Sequence, residues 1–111
     1  MAKTLDFTTR KKEYLTVKLN DEKKTVLMIG TPTKELLDEF LSVTDDIGED
    51  GEVSKEALDN LYRVCARIMS FNKGGVKITE KEISALFDLE DIMVFLNAYS
   101  EFLTTVTNAK N

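Results

Sequence analysis

The chain has 111 residues, 42% of them apolar and 32% charged, with a formal net charge of −5 at pH 7. That is one domain of ordinary size, with apolar material for a single core and none of the compositional bias of a disordered chain. It holds no histidine and one cysteine, Cys65, which excludes Ser-His-acid triads, Cys-His pairs and zinc sites built on Cys/His spacing.

Residues 1–12 are polar apart from Leu5 and Phe7, and read either as a flexible arm or as an additional strand. From Tyr14 to Leu19 the pattern alternates, with Leu15, Val17 and Leu19 on one side and Tyr14, Thr16 and Lys18 on the other. That period of two predicts a half-buried strand. Asn20 to Lys23 supply turn residues and Thr25 to Ile29 form a second β-rich run, so an antiparallel hairpin is expected. A lone hairpin is marginal in water and must pack on something.

Gly30 ends the strand. Thr31 is expected as the N-cap of a first helix, with Pro32 at the first helical position, where the missing N–H costs nothing. Leu36, Leu37, Phe40, Leu41 and Val43 give this helix an apolar side. The pattern fails from Thr44 to Glu52, where five acids and two glycines predict a surface loop. Ser54 caps a second helix over about 55–71, whose stripe runs through Leu58, Leu61, Tyr62, Cys65, Ile68 and Met69. Asp59 and Arg63 are spaced for an i,i+4 ion pair. Cys65 on that stripe reads as a buried thiol, and a lone cysteine fits a reducing cytoplasm. Asn72 to Gly75 carry helix-stop chemistry.

Thr79 and Glu82 form a capping box that opens a short helix through Phe87. Asp88 re-caps the chain into a last helix striped by Ile92, Phe95, Leu96, Tyr99, Phe102, Leu103 and Val106, which Met93 and Val94 widen. Residues 107–111 read as a frayed tail. The expected architecture is α+β: one domain over 1–111, an N-terminal hairpin packed on a bundle of three main helices plus a short one.

Several chemical readings fail on the residues. With 20 acids present a carboxylate-only active site remains possible, but acids on a solvated surface are the ordinary reading, so no enzyme and no cofactor are expected. Asp46 to Ala57 follows the EF-hand loop at Asp46, Asp50 and Gly51. It places Gly48 and Ala57 where two side-chain ligands belong, so no metal is expected. An acidic chain repels nucleic acid, and Arg10-Lys11-Lys12 is too short to reverse that. The longest apolar run, Ile92 to Leu96, falls far short of the roughly 20 residues of a membrane span, and Met1 to Thr4 lack a signal peptide's apolar stretch.

Two features are left over: the hairpin with its strand edges, and the broad stripe of the last helix. Both would serve to close the chain's own core, yet unpaired edges recruit strands and wide apolar stripes recruit helices. The candidate protein-interaction residues are therefore Tyr14, Thr16, Met93, Phe95, Tyr99 and Phe102.

Two stretches also carry a family likeness. Tyr14 through Lys34, YLTVKLNDEKKTVLMIGTPTK, and Asp88 through Tyr99, DLEDIMVFLNAY, resemble tail assembly chaperones of long-tailed phages and prophages of Gram-positive bacteria. The likeness is one of pattern and order over nearly the full length, weakest in the acidic loop. It implies a non-catalytic chaperone in the host cytoplasm, absent from the mature virion. Such a protein binds the long helical tape measure protein while tail tube protein assembles around it, and self-association is left open. It also implies a second, longer product made by a ribosomal slip, for which Ala109-Lys110-Asn111 could supply the codons GCA-AAA-AAC. The alternative is a degenerate EF-hand-like module that binds a partner helix.

Overall fold

The structure is a computed structural model that describes residues 13–45 and 54–108. Strands β1 (Leu15–Lys18) and β2 (Val26–Ile29) form an antiparallel hairpin, followed by helices α1 (Lys34–Asp45), α2 (Lys55–Ser70), α3 (Glu80–Leu86) and α4 (Leu89–Asn108). The α+β expectation holds: a two-stranded hairpin followed by four helices, one of them short. Residues 1–12, most of the acidic loop and 109–111 lie outside the described residues, and with them the readings of a flexible arm and a slip-encoding tail.

The hairpin turns on Asp21. Its Oδ1 accepts from the Thr25 amide at 2.8 Å, its Oδ2 from the Thr25 hydroxyl, and its carbonyl from Lys24 N–H. Those bonds hold the carboxyl below its ordinary pKa, the Thr25 hydroxyl contributing most. Lys24 takes the left-handed conformation, φ 51°, that reverses the chain. Leu15 faces Ile29 and Val17 faces Leu27, so the apolar residues share the sheet face that meets the helices.

α2 is the spine. Leu61, Cys65, Ile68 and Met69 are fully buried along the predicted stripe, and Val64 and Ala66 extend it, because α2 packs against α1, α3, α4 and β2 together. Burial pushes the Cys65 thiol up to about 12, so it remains protonated and unreactive at neutral pH. Ser54 accepts from Ala57 N–H at 3.1 Å as its N-cap. The capping box of α3 forms in both directions between Thr79 and Glu82. Asp88 and Asp91 repeat that reciprocity at the start of α4. The Tyr62 hydroxyl donates to the Phe87 carbonyl at 3.0 Å, tying the α3–α4 junction to the spine.

Two local expectations are corrected. The cap of α1 is Thr33, whose hydroxyl accepts from Leu36 N–H, with Thr31 and Pro32 ahead of the helix. Both threonines suit a cap, but it is the Thr33 carbonyl that accepts the first intrahelical bond, from Leu37 N–H at 2.9 Å. Arg63 turns to the Asn60 side-chain carbonyl instead of Asp59, while Arg67 bridges to Glu39 and Glu35 on α1. α4 runs through Asn108.

Candidate protein-interaction surface

The hairpin has two outer edges. In the antiparallel register Leu19 N–H donates to the Thr25 carbonyl at 2.8 Å, which makes Leu15, Val17 and Leu19 the residues bonded to β2. The intervening Thr16 and Lys18 therefore aim their peptide groups away from the hairpin. Across it, Met28 and Gly30 aim theirs away from β1 and find partners. Lys73 N–H donates to the Met28 carbonyl at 2.9 Å and Gly30 N–H to the Phe71 carbonyl at 3.2 Å, around an Ile29–Asn72 bridge.

The Phe71–Lys73 segment is held there by Asn72. Its amide donates to the carbonyls of Met69 and Val76, both at 2.7 Å, and its Oδ1 accepts from Val76 N–H at 2.9 Å. Gly75 completes the turn at φ 70°, where only glycine sits without strain. The edge of β2 is thus closed from within the chain. That of β1 has no partner among the described residues.

Beside the open edge lies a groove of about 360 Å³. One wall is β1 and the turn, from Leu15 to Lys18 and Asn20, and the other is Phe87 with Asp91, Val94, Phe95 and Ala98 of α4. The α4 positions are spaced i, i+3, i+4, i+7, a single helical stripe. Leu15 and Val17 point inward yet are only half-buried, and Val94 is 64% exposed, the most exposed large apolar side chain among the described residues. Among the described residues Asp91 and Lys18 are the only charges in the lining.

Of the six candidate residues, the structure brings two together here: Thr16 on the open edge and Phe95 at the base of the groove. Phe95 and Tyr99 belong to the core, 5% and 0% exposed. Tyr99 meets Phe40 of α1 edge-to-face at 5.2 Å and stacks on Phe95 at 6.0 Å. The Tyr99 hydroxyl is buried with no hydrogen-bond partner among the described residues, and burial pushes its pKa up to about 12. Phe102, half-buried, extends the same aromatic row at 6.3 Å from Tyr99. Met93 is half-buried on α4, away from the groove lining. Tyr14 lies in a separate depression with Gly30, Phe71 and Lys73, whose ammonium sits 5.6 Å from its ring centre.

Val94 is the functional candidate the pattern of six leaves out. Its signal was present, since it widens the α4 stripe beyond what one neighbouring helix covers. Among the described residues no three His, Cys, Asp or Glu side chains are gathered as a metal site would need. None of the helices there is long and apolar enough to cross a membrane. Of the calcium-like loop only Ser54 to Ala57 is described. There Ser54 serves as a helix cap, and Ala57 is buried with no side-chain oxygen to offer. Comparison with known proteins finds no matching family model, no matching curated protein and no matching solved structure.

Proposed function

We propose that the chain is a non-catalytic tail assembly chaperone of a long-tailed phage or prophage, acting in the bacterial host cytoplasm and absent from the mature virion. It binds the tape measure protein, keeping that long helical chain soluble while tail tube protein assembles around it.

One observation carries the reading. The two stretches with the family likeness, Tyr14–Lys34 and Asp88–Tyr99, supply nearly the whole of both walls of the groove. A likeness spread over unrelated surfaces would say little about a job. Here it converges on a half-open apolar channel beside a strand edge with no partner among the described residues, the two kinds of surface that recruit another polypeptide. A groove so short of ionisable and nucleophilic groups suits recognition better than catalysis.

The test begins at the gene. A tail tube gene upstream and a very long helical reading frame downstream are expected. The product of that long frame should be soluble on co-expression with this chain and aggregate without it. A long product equally soluble alone, or a neighbourhood with no such frame, overturns the proposal.

A further inference from the structure

α1 is held differently from the other helices. α2 is tied to the segments around α3 and α4 by bonds within the fold. The Tyr62 hydroxyl donates to the Phe87 carbonyl, and the Ser70 hydroxyl both donates to the Ile78 carbonyl and accepts from Ile78 N–H, at 2.9 Å each. The side-chain bonds of α1 stay within the helix or at its own cap: Thr33 to Leu36, Lys34 to Asp38, and Thr44 to the Leu41 carbonyl. Among the described residues its polar ties to another element are those of Glu35 and Glu39 to Arg67. These lie at the surface, where ion pairs contribute little. The last turn of α1 holds Asp45 and no cation, against the helix dipole.

What seats α1 is one apolar face, the buried Leu36, Phe40 and Val43. Against that face lies Tyr99, whose hydroxyl is buried with no partner among the described residues. Of the three rings around Tyr99, Phe95 and Phe102 belong to α4 itself and Phe40 comes from α1.

We propose that α1 opens as a unit while the hairpin and α2 to α4 stay folded, and that the Tyr99 hydroxyl sets how often it does so. The inference goes beyond the chaperone reading and does not depend on it. In the closed form the hydroxyl has given up water without gaining a partner, which penalises that form. Once α1 leaves, water pairs it. The burial of Leu36, Phe40 and Val43 acts the other way, so the open form is the minor one. Gly30 N–H remains bonded to the Phe71 carbonyl and the helix begins at Lys34, so the chain turns over Thr31, Pro32 and Thr33. Opening uncovers the Tyr99 ring and the apolar face of α1 together, surface that the closed form hides.

Native-state amide exchange on the full chain, in denaturant well below the unfolding midpoint, tests this. A 12-residue helix is marginal once undocked, so the amides of α1 exchange from the open form. Those of Phe40 and Val43 should exchange about tenfold or more faster than those of Cys65 and Ile68 on α2, and with weaker dependence on denaturant. In Tyr99→Phe, which keeps the ring and removes the penalty, the same α1 amides should slow about fivefold. Exchange of α1 as slow as that of α2 overturns the proposal, because α1 then leaves only with the rest of the fold. So does a Tyr99→Phe variant whose α1 amides are unchanged or faster, since the hydroxyl would then not be gaining water as α1 opens.

Discussion

The two outer edges of one small hairpin differ in how they are finished. β2 is closed by the segment that leaves α2, with Asn72 bonding three backbone groups to hold it in place. β1 borders a groove whose far wall exposes Val94. The same sheet is therefore sealed where it meets the spine of the fold and, among the described residues, unpartnered where it meets the last helix. On the proposed reading stability falls to the sealed side and recognition to the other, and each side can be broken separately.

The base of the groove belongs to the core, and it should show the largest effect. Phe95→Ala removes a 5%-exposed ring that stacks on Tyr99, and should cost on the order of 3–5 kcal/mol in a denaturant titration. A loss under about 1 kcal/mol would return Phe95 to the surface role expected from sequence. The sealed edge comes next. Asn72→Ala deletes three side-chain hydrogen bonds at once and should cost roughly 2 kcal/mol. It should also speed exchange of the Gly30 and Lys73 amides, which bond the sealing segment. Destabilisation with those amides still protected would show that the segment holds the edge without its clamp.

These effects track what could be read from the residues. The hairpin, the Thr79–Glu82 box and the stripe of α2 were legible because each is decided within a few residues, by a period or a cap. The α1 cap was misplaced by two positions because Thr31 and Thr33 flank Pro32 with equal local credentials. Arg63 and Arg67 chose partners by reach across the folded surface, which spacing along one helix does not encode. Asn72 looked like an ordinary helix stop, and its work on β2 arises only once the hairpin lies beside it. The candidate surface was half legible for the same reason. The α4 stripe announces that a wide face is apolar, but α1 decides that Tyr99 is covered and Val94 is not.

Tyr99 offers a gain in place of a loss. Its hydroxyl is buried without a partner among the described residues, and leaving a polar group so costs roughly 1–3 kcal/mol. Tyr99→Phe keeps the ring contacts with Phe40, Phe95 and Phe102 and removes the cost. Thermal unfolding should show stability unchanged or raised by about 1 kcal/mol. A clear destabilisation would mean that the hydroxyl has a partner in solution, and that this part of α4 is less closed than the aromatic row implies.

The smallest effect on stability should accompany the largest effect on binding. Val94 is 64% exposed, so Val94→Gln removes little buried area and exchanges a β-branched residue for a better helix former. The unfolding midpoint should stay within the range of about 0.5 kcal/mol typical of surface changes. Affinity for the partner should fall about tenfold or more if Val94 is an anchor of the groove wall. Leu41 of α1 is the control, 50% exposed but outside the groove lining. Leu41→Gln should leave both stability and affinity in place. Equal loss of binding in the two variants would mean that the partner responds to exposed apolar surface in general, and the open side of the hairpin would lose its claim to specificity. Loss at Val94 alone would locate recognition beside β1, on the side of the sheet that Asn72 does not seal.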